Sequence, residues 1–416
     1  MQIHEFFLIL AVLLLTARLF SEVGTRLGVP GVIGELAAGL VLGPSLLGWV
    51  SPDATMKLLA EIGVILLLFE VGMDTDVFRL AQTGAKPILV AVGGVLLPAA
   101  GGFAVARYGF DLSLAAALFI AGTLTATSIG ITVRVLSDLN RRHSREAQIV
   151  LGAAVLDDIL GVLLLAFLYD FSVKGETSIA NTANVAAYIL LFLVLGPFLA
   201  KLVASLIDHF DLRAASPGLL VTLVLALILF MSWLAHAVGA PPILGGFAAG
   251  LALGQGFRAS IAQRLKLPYT SLLNRLLQEN PALTHRLEEQ IRPLIHTFTP
   301  LFFVMVGVSL NLREVDWGSG FIWALGLGLL LVAFVGKWLA GFCAREPRLT
   351  QSAIGLAMVP RGEVGLIFAQ LGLNNGILSG ELYAALLIVI ALTTALPPFL
   401  MKAFYRRYGT RLPADA

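Results

Sequence analysis

Two aspartates, Asp157 and Asp158, stand side by side in the apolar run AQIVLGAAVLDDILGVLLLAFL, residues 147–168, which carries no other charge. A carboxylate at the centre of a membrane-length helix costs about 2.5–3.5 kcal/mol even on lenient insertion scales, so such acids face cavities and mark ion or proton pathways. Adjacent helical residues are about 100° apart around the axis. The two side chains are therefore expected to do different jobs, one facing a water-filled site and the other a neighbouring helix. Their nearness couples their titration. A carboxylate that holds a proton at one pH and a cation at another is what proton-linked ion binding requires.

The natural counter-charge is Lys337, in LLLVAFVGKWLAG. It lies roughly 10 Å from the nearer end of its run at helical rise, a distance a lysine can also cover by snorkelling. A third feature is MVPRGEVGL, which places Pro360, Arg361, Gly362 and Glu363 mid-run. Proline and glycine there break a helix, and the freed backbone ends offer dipoles beside an ion. The stretch GTLTATSIG, residues 122–130, is rich in hydroxyls instead. Two broken helices crossing at mid-membrane would bring Thr125, Thr127 and Ser128 near Arg361 and Glu363. Ion and proton binding is expected at Asp157, Asp158 and Thr127, with Thr125, Ser128, Arg361 and Glu363 supporting the crossing. A bound Na+ would sit on Asp158 and Asp157. Glu70, Glu35 and Arg18 fall toward the ends of their runs, where interfacial or gate-lining charge is expected, and Glu70 is the candidate gate. His143, His209, His285 and His296 have no metal-ligand spacing, and no phosphate-binding loop, nucleophile elbow or HExxH motif is present. No cofactor is expected.

What must position these residues is a membrane. The chain is 58% hydrophobic and 13% charged, with mean hydropathy +0.90, whereas soluble domains carry about a quarter charged residues. Apolar runs near 20 residues recur along its length. About thirteen spans are expected, near 4–21, 30–48, 56–73, 86–106, 113–135, 147–169, 182–202, 216–237, 241–257, 296–311, 320–344, 351–374 and 381–403. The single cysteine, Cys343, excludes an internal disulfide. The first run lacks a charged leader and a cleavage site, and reads as a mature helix. The loops on the side of the first connection hold twenty-one Lys and Arg, and the opposite loops three: Arg107, Lys174 and Arg313. By the positive-inside rule the N-terminus is outside and the C-terminus cytoplasmic.

The chain also repeats itself. GVIGELAAGLVLG (31–43) resembles PILGGFAAGLALG (242–254), LLLFEVGMDTD (66–76) resembles LFFVMVGVSLN (301–311), and TSIGITVRVL (127–136) resembles GEVGLIFAQL (362–371). Spans two, three and five match nine, ten and twelve. A shift of seven, an odd number, inverts the second copy across the membrane, and inverted repeats with a site at their interface are the architecture of secondary transporters. The expected fold is all-α and polytopic: residues 1–180 as a first repeat, 181–210 as a linker helix and 211–416 as a second repeat. A core domain would come from 86–169 and 320–403, with no soluble regulatory domain.

Taken together, GVIGELAAGLVLGP, LLLFEVGM, TATSIGITVRVL, AAVLDDILG, FVGKWLAG and PRGEVGLI resemble the bacterial monovalent cation/proton antiporters. The NapA-type Na+/H+ exchangers look closest, and the Kef-type K+/H+ efflux proteins are also similar. The resemblance covers nearly the whole chain in order. It implies a thirteen-helix fold, a homodimer in the bacterial inner membrane, and elevator movement of a core domain. It implies that Asp158 carries the ion and proton while Asp157 pairs with Lys337, and that exchange is electrogenic. Kef-type proteins usually add a nucleotide-binding domain, and none is expected here. The expected activity is exchange of cytoplasmic Na+ or Li+ for external H+, with K+/H+ exchange or a non-transporting cation sensor as alternatives. The expected partners are a monovalent cation, protons and lipid, with no nucleic acid. A channel would need a continuous pore and flux uncoupled from pH. An intramembrane aspartyl protease would need its two aspartates on separate helices.

Overall fold

A computed structural model describes residues 3–74, 83–169, 179–211, 218–254 and 281–412. Among these residues there are fifteen α-helices and no strand. They are α1 (Ile3–Arg26), α2 (Gly31–Leu42), α3 (Ala54–Asp74), α4 (Lys86–Ala104), α5 (Leu114–Thr123), α6 (Ile129–Asp138), α7 (Arg145–Tyr169) and α8 (Ile179–Asp211). After these come α9 (Leu219–Ala237), α10 (Pro242–Leu253), α11 (Pro281–Ser309), α12 (Gly320–Ala340), α13 (Arg348–Met358), α14 (Glu363–Asn374) and α15 (Gly380–Tyr408). Seven candidate spans are long and apolar enough to cross a membrane by length and composition. The pairs α5/α6 and α13/α14 are too short singly, since about 20 residues are needed at 1.5 Å each. Each pair is one interrupted element, as expected for the fifth and twelfth spans.

The interruptions have local causes. Ser128 caps α6, its hydroxyl accepting the Ile131 N–H at 3.5 Å. This is the ordinary way a serine stops the preceding turn and starts a helix. Pro360 and Gly362 separate α13 from α14, and proline has no N–H to extend a helical ladder.

The residues form two compact units: one of Met1–Lys57, Ala85–Thr182 and Phe303–Ala416, the other of Leu58–Gly84 and Ala183–Phe302. Both stretches expected to make a core domain, 86–169 and 320–403, fall in the first. Its interior is an apolar cluster from α5, α12, α14 and α15, including Phe119, Leu325, Phe368 and Leu386.

The matched motifs pack alike in their separate units. In the first, α2 crosses the end of α11 so closely that a Cβ on Gly39 would lie 2.0 Å from the Val304 carbonyl oxygen, and one on Gly307 2.2 Å from that of Leu36. In the second, α3 and α10 do the same: a Cβ on Gly72 would meet Phe247 O at 2.3 Å, and one on Gly250 would meet Phe69 O at 2.1 Å. Lipid gives helices no hydrophobic reason to associate, so close backbone approach through small residues does that work.

Candidate ion site

The site lies wholly within the first unit. Midway along α7, Asp157 and Asp158 are both buried, at 1% and 6% exposure. Lys337, near the end of α12, is also fully buried, and its Nζ donates to Asp157 Oδ1 at 3.0 Å and Oδ2 at 3.1 Å. It reaches Asp157 rather than snorkelling away. Room for its ammonium comes from α4, where a Cβ on Gly94 would lie 3.4 Å from Nζ. Helix α4 is backbone-close to α12 here, because Gly336 faces Pro98 with only 2.9 Å for a Cβ. Asp158 also acts electrostatically on Lys337. The neighbouring carboxylates thus differ as their helical angle requires: Asp157 is held by an amine, and Asp158 is the other buried acid of the same site.

The two interrupted helices meet beside this pair. The Ser128 N–H donates to the Pro360 carbonyl at 2.8 Å, joining one break to the other. The Thr127 hydroxyl donates to Met358 O at 3.3 Å and that of Thr132 to Ala357 O at 2.7 Å. These bonds occupy carbonyls at the end of α13 that have no helical donor. Thr125 bonds within its own break, to Gly122 O at 2.8 Å.

Arg361 binds the crossing together. It is completely buried and heads the fully buried side chains by volume. Its Nη1 donates to Ala126 O at 2.8 Å and its Nη2 to Ala333 O at 3.5 Å, linking the α5/α6 break to α12. Its charge also acts on Asp157. Its own backbone is held by α15: the Arg361 N–H donates to Thr393 O at 3.4 Å, and the Thr394 hydroxyl donates to Arg361 O at 2.8 Å. Pro397 lies in α15 four residues after Thr393. It has no N–H to give the Thr393 carbonyl, which is therefore available to Arg361.

Of the expected site residues, Asp157, Asp158, Lys337, Thr125, Thr127, Ser128 and Arg361 are all buried in this one unit. Glu363 opens α14, and its side chain lies outside the described residues. Glu70 is half-buried on α3 and belongs to the other unit. Thr132, Thr393, Thr394, Pro397 and Gly94 join the site without having been expected there. The signal for three of them was present in TTALPP, residues 393–398, where two prolines inside an apolar run free two carbonyls beside two hydroxyls. Among the described residues no group of three or more His, Cys, Asp or Glu could hold a metal ion. A monovalent cation would find its oxygens in the two carboxylates, the threonine hydroxyls and the broken backbone.

The sodium/hydrogen exchanger transmembrane domain matches residues 9–402. The chain belongs to the sodium/hydrogen exchanger family. It is 33% identical to the high-affinity Na+/H+ antiporter NhaS3 of Synechocystis, over 95% of this chain and 89% of that protein. It is 32% identical to the Na+/H+-K+ antiporter GerN of Bacillus cereus, over 96% of each. In fold it is similar to the sodium proton antiporter MjNhaP1 of Methanocaldococcus jannaschii, with a TM-score of 0.66, 17% identity and 98% of each chain covered. As a member of this family with long apolar helices, the protein is a multi-pass membrane protein of the cation/proton exchange class.

Proposed function

We propose that this protein is a secondary active transporter that exchanges cytoplasmic Na+ or Li+ for external H+. The observation that carries the reading is the fully buried Lys337–Asp157 pair beside buried Asp158, at the crossing of two interrupted helices. A buried ion pair is weak evidence for stability, because desolvation offsets attraction. Its value is that it can be made and broken. The names of NhaS3 and GerN, both Na+/H+ antiporters, support the substrates; the K+ in GerN's name favours K+ as a further cation.

In the mechanism we propose, cation and proton compete for Asp158. With the site open outward, protons displace the cation; with it open inward, the cation displaces protons. Lys337 holds Asp157 in one protonation state and lets it go in another. Thr127 and the broken backbone complete the oxygen shell, and Arg361 fixes the crossing around it. If the pair delivers two protons per cation, each cycle moves a net charge, worth about 2.3 kcal/mol at 100 mV. Alternating access proceeds by elevator movement of a core built from 86–169 and 320–403, within two inverted repeats (1–180 and 211–416) joined by the linker helix 181–210. The protein works as a homodimer in the bacterial inner membrane, N-terminus outside and C-terminus cytoplasmic, with Glu70 lining a gate.

The test is exchange in proteoliposomes holding a pH dye, with Na+, Li+ and K+ added in turn and the potential clamped or free. Cation-driven proton movement that speeds up under a favourable potential is the expected result. Proton movement indifferent to potential would remove the two-proton role, and no cation-linked movement would overturn the reading.

A further inference from the structure

We propose that Glu35 is a further proton-binding carboxylate, separate from Asp157 and Asp158, whose protonation loosens the hold of α2 on α6. Glu35 sits on α2 at 0% exposure, and its carboxylate has only a loose hydrogen bond, from the Ser21 hydroxyl of α1. Its close cation, Arg134 Nη2 on α6, is 3.7 Å away, beyond hydrogen-bond range. That guanidinium is shared, because Arg134 Nε lies 3.5 Å from Asp138 Oδ1. Two carboxylates therefore divide one nearby arginine. The other groups facing Glu35 are Arg18 and Ser21 of α1 and Asp138 of α6. Lys402 of α15 acts on Asp138.

A fully buried carboxylate with one loose hydrogen bond and a shared arginine is costly while charged, and an under-satisfied buried group calls for a further partner. A proton meets that need. A metal cation does not, because Arg134 and Arg18 already face the group and would repel it. Further polar contacts hold this corner, one of them from α15. Asp138 accepts the Gly31 N–H at the start of α2, and the Lys402 ammonium donates to the Gly28 carbonyl.

With Glu35 charged, Arg134 is drawn to α2 and α6 is gripped. With Glu35 protonated, Arg134 turns wholly to Asp138 on its own helix, and the hold weakens to the Asp138–Gly31 bond. Helix α6 begins at the crossing, where Ser128 bonds Pro360, so the grip acts on the element that frames the ion site. The transport consequence rests on the exchange reading: at the cytoplasmic end of the proposed topology, rising pH charges Glu35, closes the grip and slows exchange.

The proton site is tested without transport. The purified full-length protein is labelled with a carbodiimide, which attacks protonated carboxyls in apolar surroundings, at a series of pH values, and Glu35 is followed by peptide mass spectrometry. Labelling is expected to fall as pH rises, and the fall should move to higher pH by roughly one unit in Arg134→Gln, which loses the opposite charge. Labelling that ignores both pH and Arg134→Gln would overturn the proposal. In proteoliposomes, Glu35→Gln is expected to flatten the slowing at high pH while Glu35→Asp keeps it; a wild-type pH profile in Glu35→Gln would overturn the coupling. If the unaltered protein exchanges no ions, the exchange reading fails, and the labelling still decides the proton site.

Discussion

The Arg361 amide donates to the Thr393 carbonyl at 3.4 Å because Pro397, one helical turn on, has no amide to offer it. Together with the Thr394 hydroxyl on Arg361 O, this makes α15 the holder of the broken α13/α14 element. Thr394→Val keeps the shape and removes the donor, leaving a buried carbonyl unsatisfied at a cost of about 1–3 kcal/mol. The expected outcome is a raised apparent KM for the cation with the fold retained, and recovery in Thr394→Ser. Initial rates against cation concentration check it; equal KM values in the valine and serine variants would remove the positioning role.

Breaking the Lys337–Asp157 pair from one side strands a buried charge. Lys337→Met is expected to destabilise the protein by about 3–5 kcal/mol, and the double variant Lys337→Met with Asp157→Asn to recover most of that loss. Thermal melting in detergent reads both. A double variant as unstable as the single one would mean that the loss comes from packing against Gly94 and not from charge.

How much of this was legible in the sequence follows from how each signal is written. The aspartate pair and Lys337 stood out because charge is rare in apolar runs, and the bond between them followed from the need for a counter-charge. The two helix breaks were legible from PRGE and TATS. The role of α15 was not, because Thr393 and Thr394 matter through a carbonyl and a hydroxyl that only long-range packing brings to Arg361. Glu35 was visible as an acid near a span end, but its burial against Arg134 depends on which helices neighbour α2. The glycine matches at 31–43 and 242–254 were legible as a pattern, while their purpose, a carbonyl about 2 Å from the place of a Cβ, is a fact of packing.

Asp158 is the proposed carrier, and its removal should separate function from fold. Asp158→Asn is nearly isosteric and deletes only the titrating charge. Antiport is expected to fall to background while the melting temperature holds or rises, because a buried carboxylate is costly. Full antiport in this variant would end the assignment of Asp158 as carrier.

The two glycine crossings make a prediction that follows from their backbone contacts. A methyl on Gly39 or Gly250 would sit 2.0 or 2.1 Å from a backbone carbonyl oxygen, and neither contact can relax by moving a flexible side chain. The helices must part, losing their close contact along the crossing. Gly39→Ala and Gly250→Ala are therefore expected to lower the melting temperature by similar amounts, though they lie 211 positions apart and in different units. Gly84→Ala, where a Cβ meets nothing within 4 Å but φ is +63°, should cost only the backbone strain of a left-handed residue, about 1–2 kcal/mol. A large loss at one crossing glycine with none at the other would break the equivalence of the two crossings.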